Sequence, residues 1–529
     1  MRGSYAELWH HIASSFPERT ALVSGEQRLS YAKFEEDSSR LGALLQDGGL
    51  QPGDRIAFFL FNCAEYLIAM NAALKVGAVP VAINFRYRER ELSELLEDCE
   101  AAALVYPSSL SPVVNQVEER IQPGLLLEID DGAPGIPGAT AFEAYHEHRT
   151  LLVDQPRTEG TLLVYTGGTT GRPKAVVWDE TDLLEIQMYS TYGALGITEP
   201  EDADGVIRIA GEQASSPTVT LPLAPFIHAT ALFNAMNTFL LGGTVVISPG
   251  PSMDPRKAAE LIRAEQVTRL IVAGDAVALP LLEALETADA SRLEHLDTVI
   301  SSGMRFSDET KARVHALGDV SVVDVLASTE GGPYATAVTT SAADLPARFR
   351  LMPNAVVFDP DLKEVQDQPG ATGILGYRGA LPRGYYRDEK KTRETYPVID
   401  GRRYVIPGDH VRVQGDGYLE LLGRGSSVVN TGGEKVFPGE VEEALMAHPD
   451  VTDAVVFGIP DPRWGERVTA AVAIRASSAV DPGELIRFVK QRLAGYKVPR
   501  QIIIRDGLDR SPAGKINMRA LKKDALETA

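Results

Sequence analysis

Short β-rich runs alternate with helix-like segments along most of this chain, and that alternation restricts it to parallel sheets covered by helices. Residues Arg55-Ile56-Ala57-Phe58-Phe59-Leu60 precede a helix-like run over 64–76, and Ala78-Val79-Pro80-Val81-Ala82-Ile83 follows. Strand, helix, strand in that order reads as a βαβ unit. Further apolar runs at 243–247, 269–272 and 297–300 repeat the pattern, with helical spacing between them. From about residue 355 the grammar changes: Val411-Arg412-Val413 and Leu419-Glu420-Leu421-Leu422 flank the turn residues Gln414-Gly415-Asp416-Gly417-Tyr418, which reads as an antiparallel hairpin in a small barrel-like region. The fold these runs predict is α/β: helix-covered, mostly parallel sheets followed by a barrel-like region. A length of 529 residues supports more than one domain, because single cores stop growing at about 250–300 residues.

Charge and cysteine content exclude several functions. The 73 acidic against 52 basic residues give a net charge of −21, which repels nucleic acid and anionic lipid, so an anionic ligand must be met by local basic groups. Cys63 and Cys99 stand at no metal-site spacing and make no disulfide framework. The most apolar stretch, 55–79, is interrupted by Asn62, Glu65, Asn71 and Lys75, short of the roughly 18 uninterrupted apolar residues of a membrane span. The first residues, Met1 to Leu8, lack the pattern of a secretory signal, and the reading is a cytoplasmic protein.

Two glycines flank a short polar stretch at Gly423-Arg424-Gly425-Ser426-Ser427, where the domain boundary is placed: 1–425 and 426–529. Such a stretch suits a hinge and equally suits an ordinary turn. The segment Tyr165-Thr166-Gly167-Gly168-Thr169-Thr170-Gly171-Arg172-Pro173-Lys174 follows the apolar run Leu162-Leu163-Val164. Its glycines expose backbone amides, its threonines add hydroxyl donors and Lys174 adds a cation, the combination that holds polyphosphate. It is not a P-loop, since Pro173 intervenes before the lysine and Ala175 replaces the magnesium-binding hydroxyl.

Over essentially its whole length the chain resembles the adenylate-forming superfamily of acyl-CoA synthetases, nonribosomal adenylation domains and firefly-type luciferases. The matches run in order through the phosphate loop, Pro225-Phe226-Ile227-His228-Ala229-Thr230-Ala231, Asp324-Val325-Leu326-Ala327-Ser328-Thr329-Glu330, Pro407-Gly408-Asp409, Leu422-Gly423-Arg424, residues 430–438 and Ser511-Pro512-Ala513-Gly514-Lys515. The resemblance implies an enzyme in which a carboxylate oxygen attacks the α-phosphorus of ATP and pyrophosphate leaves, with ATP, Mg2+ and CoA as cofactors. By that likeness Thr166, Gly168, Thr169, Thr170 and Lys174 hold the leaving phosphates, and Thr329 sits against the α-phosphate. Glu330 is the magnesium ligand, being a hard carboxylate. Asp409 accepts from the ribose hydroxyls, with Arg424 nearby. Ser302, Gly303, Met304, Asp324, Leu326, Ala327 and Ser328 frame the adenosine, and Lys515 is the catalytic ammonium delivered by the small domain.

The same likeness implies a large N-terminal domain of two helix-covered, mostly parallel sheets plus a small barrel-like subdomain, and a small mobile α+β C-terminal domain that rotates after adenylation so that Gly432, Gly433, Lys435 and Lys497 then contact CoA. His228, Ala229, Phe233, Ala327 and Gly331 line the acid pocket, with His228 also a catalytic candidate. The chain departs from the pattern at Ser426, Ala175, Ala327 and Leu326, the last replacing an adenine-stacking aromatic. Its pocket segments carry no obvious charge pair for an amino acid, so an apolar acid is expected. The wording of its motifs most resembles acyl-CoA synthetases for long or polycyclic acids, such as steroid side chains and terpenoid acids. Two other readings stay open: an acyl-adenylate synthetase that passes its product to a separate thiolating enzyme or carrier protein, and a catalytically silent nucleotide-binding module. A homodimer also stays open.

Overall fold

A computed structural model describes residues 3–117, 124–148, 160–167, 173–287, 292–304, 306–424, 429–436, 438–475, 478–508 and 518–527. The chain forms two compact units. One comprises Met1–Phe85, Leu96–Tyr165 and Ala175–Gly423; the other comprises Arg86–Leu95, Thr166–Lys174 and Arg424–Ala529. The division at Gly423 lies beside the hinge expected from sequence, but the second unit also takes in two segments from the N-terminal part of the chain.

In the first unit the βαβ reading holds at residue level. Strand Arg55–Phe58 is followed by helix Ala64–Val76 and strand Val79–Ala82, and the strands pair in parallel from Arg55↔Val79 to Phe58↔Ala82. The helix is buried on almost every side, which explains why its sequence lacks a polar stripe, and Gly77 at φ 71° ends it in the left-handed conformation that glycine adopts without steric penalty. These strands belong to an eight-stranded sheet, and a thirteen-stranded sheet stands beside it in the same unit.

The larger sheet has a parallel part and an antiparallel part. Ser321–Ser328, Thr298–Ser302, Arg269–Val272, Val219–Pro222, Thr244–Ile247 and Thr20–Ser24 are parallel neighbours in that order. Gly331–Thr339 then turns back on Ser321–Ser328. From there the sheet continues through Phe349–Leu351, Tyr418–Arg424, Asp409–Val413 and Thr372–Tyr377 to Ala355–Phe358. It curls so that Gly331–Thr339 packs beside Thr372–Tyr377 and Ala355–Phe358. The barrel-like region is thus a rolled continuation of the main sheet. The largest core cluster joins both sheets through helices such as Tyr5–Ser15, Tyr31–Asp47 and Ala229–Leu240. Within it Phe239 stacks on Phe34 at 4.9 Å and meets Trp9 edge-on at 5.3 Å.

The second unit carries a five-stranded sheet with its own apolar core. Val451–Asp461 and Gly465–Ile474 form a long antiparallel pair, and Gln501–Arg505 adds in parallel. Segment Arg86–Leu95 is tied into this unit by ion pairs: Arg86 to Glu434 at 2.7 Å, Arg90 to Glu443 at 3.2 Å and Lys497 to Glu91 at 2.7 Å. Among the described residues no helix is long and apolar enough to cross a membrane.

Candidate active site

In parallel sheets ligands gather at the carboxyl ends of the strands, where loops and turns leave backbone groups exposed. Neighbouring carboxyl ends of the large sheet carry many of the residues singled out above. Thr298–Ser302 runs into Gly303 and Met304, Ser321–Ser328 runs into Thr329 and Glu330, and Val219–Pro222 leads to His228. Burial decreases along Ser321–Ser328: Val322, Val323 and Asp324 are buried, while the residues from Val325 to Glu330 are partly open. Side chains at that end can therefore meet a ligand.

Thr329 and Glu330 form the two-residue turn of a hairpin whose strands meet at Ser328↔Gly331. Three aromatic side chains fix this turn. The Trp178 indole N–H donates to the Thr329 carbonyl at 2.9 Å, the Tyr396 hydroxyl donates to the Glu330 carbonyl at 3.1 Å, and the Tyr385 hydroxyl donates to Glu330 Oε1 at 2.9 Å. Tyr334 adds a hydroxyl contact to Ser328 Oγ at 3.0 Å. Trp178, Tyr396 and Tyr334 bury their rings and half-buried Tyr385 does so in part, each turning its polar tip to the loop. Burial holds the Tyr396 phenol well above its ordinary pKa, with the Glu330 charge adding to the effect, so it stays a donor. Trp178 and Tyr385 stand on paired strands of the eight-stranded sheet, Tyr385 opposite Val176. Both sheets therefore hold the glutamate turn.

Gly331 is required beside it: a Cβ there would lie 2.6 Å from Val405 Cγ1. Val405 belongs to the segment that leads to Asp409, the partly exposed first residue of strand Asp409–Val413. His228 occupies the N-cap position of helix Ala229–Leu240 and is half-buried. Ala229 packs partly buried against the main core, and Phe233 lies within it at 6% exposure. Gly303 at φ 83° has open space at its Cα, which allows close approach of a ligand to the backbone. Ser302 is directed inward, donating to the Val325 carbonyl at 2.7 Å.

Two expected ligand contacts are engaged elsewhere. Asp324, expected near the nucleotide, is 6% exposed and pairs with Lys311 at 2.9 Å, itself 3% exposed. Lys497, expected on CoA phosphates, is 3% exposed and holds both Glu91 and Glu440. In each case a buried charge is matched by a buried partner, as desolvation demands. Sequence spacing marked these residues as charged members of motifs; only packing showed which way they face.

Thr166 and Lys174 flank the phosphate loop in the second unit, where the Thr166 hydroxyl reaches the Lys174 carbonyl at 3.5 Å. Gly168, Thr169, Thr170 and Lys515 lie outside the described residues, as do 425–427 of the hinge. Arg424 ends strand Tyr418–Arg424. Gly432 and Gly433 form the turn between Val429–Thr431 and Glu434–Val436, both at positive φ, 59° and 89°. Two left-handed residues in a two-residue hairpin loop match strand twist, and glycine supplies them without strain. A Cβ on Gly432 would lie 2.7 Å from the Trp464 ring, and Lys435 follows in the partly open strand.

Among the described residues no cluster of three or more His, Cys, Asp or Glu side chains could hold a resident metal. Glu330 as a single hard carboxylate fits a magnesium ion that arrives on ATP phosphates rather than one caged by protein. A cavity of about 700 Å³ in the first unit lies on the eight-stranded sheet, where strands begin at Arg55, Val79 and Thr161, and is lined by Val177 and Tyr385 among others. Its arginines Arg55 and Arg387 share Glu100, and Arg383 pairs with Asp179. The positioning role of Trp178, Tyr385 and Tyr396 carries no local signal in the sequence, since each is one aromatic residue among many and meets the turn only through packing.

Residues 9–386 match the family described as AMP-binding enzyme, and residues 440–515 match the AMP-binding enzyme C-terminal domain. The chain is 38% identical to a medium/long-chain-fatty-acid-CoA/3-oxocholest-4-en-26-oate-CoA ligase of Mycolicibacterium smegmatis, over 98% of this chain and 95% of that protein. It is 33% identical to a 3-oxocholest-4-en-26-oate-CoA ligase of Rhodococcus rhodochrous, with the same coverage of 98% and 95%. The amide bond synthetase McbA of Marinactinospora thermotolerans shares the fold, with a TM-score of 0.83 at 23% identity over 98% of this chain and 99% of that one. The paired domains, the order of motifs and full-length likeness together place this chain in the AMP-binding enzyme family, in its acyl-CoA synthetase branch.

Proposed function

We propose that this chain is an ATP-dependent acid-CoA ligase that activates a hydrophobic carboxylic acid, of the steroid side-chain or long-chain fatty class, and works in the cytoplasm. The acid's carboxylate attacks the α-phosphorus of ATP, pyrophosphate leaves, and the CoA thiol then displaces AMP from the acyl-adenylate. The observation that carries this reading is the rigidly held Thr329–Glu330 turn at the carboxyl end of a parallel strand, in a chain that matches CoA ligases along its full length.

Each residue then has a task. Thr329 hydrogen-bonds the α-phosphate, and Tyr385 orients the Glu330 carboxylate that would hold magnesium. The ion, when bound, neutralises charge on the phosphates. Asp409 accepts from the ribose hydroxyls and Arg424 supplies a nearby cation. The loop from Thr166 to Lys174 holds the leaving phosphates through amides, hydroxyls and one ammonium. Lys515 bridges carboxylate and α-phosphate during adenylation, and the Gly432-Gly433 turn lines the route of the CoA thiol. Ala229 and Phe233, next to half-buried His228, supply an apolar wall for the acid, which favours an uncharged body over an amino acid.

The test is pyrophosphate release across fatty, aryl and steroid side-chain acids, with and without CoA, with products identified by mass spectrometry. Acyl-CoA from a steroid side-chain or long-chain acid is expected. Adenylate accumulating despite CoA overturns the second half-reaction, and activity confined to aryl or amino acids overturns the substrate class. Lys515→Ala separates the steps: adenylation falls, while thioester formation from supplied acyl-adenylate is retained.

A further inference from the structure

Arg269 opens strand Arg269–Val272 near the middle of the large parallel sheet and is 1% exposed. Its Nε, Nη1 and Nη2 find no hydrogen-bond acceptor among the described residues. A guanidinium carries five N–H donors and stays charged, so leaving all three nitrogens unpaired in a dry interior is strongly unfavourable. Burial alone acts on it, lowering its pKa to about 10, with no carboxylate contributing.

Its surroundings are polar in an ordered way. Parallel register places Thr220, Arg269, Thr298 and Ser321 side by side across four adjacent strands. Paired residues on neighbouring strands point to the same face, so the hydroxyls of Thr220 and Thr298 flank the guanidinium on either side, with Ser321 one strand further along the row. Helix Ala229–Leu240 covers that face, since Thr238 Oγ1 lies 2.8 Å from Thr220 Oγ1. The row sits at the amino ends of the strands, opposite the ends that carry Ser302, Thr329 and Glu330.

We infer that the Arg269 row binds a small inorganic monovalent anion of halide size inside the first unit, at a site separate from the catalytic crest. Hydroxyl donors beside a guanidinium favour an anion over a cation, and the burial of Arg269, Thr220 and Thr298 excludes a large organic one. The bound anion supplies the missing countercharge and stabilises the fold by mass action, since an opened strand row has no such site.

The probe is bromide. Crystals of the full chain grown in sodium bromide are expected to show an anomalous peak within about 3.5 Å of the Arg269 guanidinium, a hydrogen-bonding separation for a large anion. In solution, replacing sodium gluconate by sodium bromide at equal ionic strength should raise Tm by about 2 °C or more, against the general destabilising trend of bromide. Arg269→Met should lose that rise. No anomalous peak at Arg269 in crystals that show bromide elsewhere overturns the site, as does a bromide response unchanged in Arg269→Met. If that variant does not fold, the anomalous experiment on the unaltered chain decides alone.

Discussion

Replacing Tyr385 by Phe tests how the glutamate turn works. The substitution removes one hydroxyl, which donates to Glu330 Oε1 at 2.9 Å, and keeps the ring and the backbone pairing with Val176. A hydrogen bond to a charged group contributes about 1.5–3 kcal/mol. Tyr385 is half-buried, so water partly replaces the lost donor and the lower end applies. About 1.5 kcal/mol corresponds to roughly a tenfold fall in kcat/KM, since each 1.4 kcal/mol is a factor of ten. The loss should come with a higher magnesium requirement, because a carboxylate that has lost this orienting donor holds the cation less well. The assay is ATP-dependent pyrophosphate release titrated with magnesium, beside a urea melt. Stability should change by less than about 1 kcal/mol, the ring contact with Tyr396 at 6.1 Å being retained. An unaltered rate and magnesium curve, or a rate loss matched by an equal loss of stability, would refute the assignment of Tyr385 as the residue that orients Glu330.

Three further outcomes follow from packing. Gly432→Ala forces a side chain against the Trp464 ring and a positive φ on a residue that resists it, so CoA-dependent turnover should drop about tenfold or more while pyrophosphate release without CoA is retained. Lys497→Met leaves Glu91 and Glu440 without their shared cation; a loss of about 3–5 kcal/mol is expected in urea unfolding of the second unit, and Glu440→Gln added to it should recover part of that loss. Asp324 has its pKa raised to about 6 by burial, against an ordinary 3.8, with Lys311 opposing the shift. The native state therefore holds this proton more tightly than the unfolded one. Its contribution is present below 3.8 and is lost as pH rises through about 6. Asp324→Asn should flatten the stability profile across that window, and an unchanged slope would contradict the shift.

Local sequence determined most of the elements and the order of the chemistry. The apolar run at 55–60, the helical run over 64–76 and the strand after Gly77 required no tertiary information, because strand and helix periodicity and a left-handed glycine cap are properties of neighbouring residues. Likewise, the two glycines at 432 and 433 carry their turn geometry in their residue type. Tertiary structure alone decided what those elements meet. Trp178, Tyr385 and Tyr396 lie far from residue 330 along the chain and reach it only because a second sheet, and the helix Glu389–Thr395 that Tyr396 caps, pack beside the turn. Packing likewise turned Asp324 and Lys497 from apparent ligand contacts into halves of buried ion pairs. It also set Arg269 in a row of hydroxyls through the register of four strands. A charge in a sequence has no direction; burial and the nearest countercharge assign one, and both depend on residues distant in the chain.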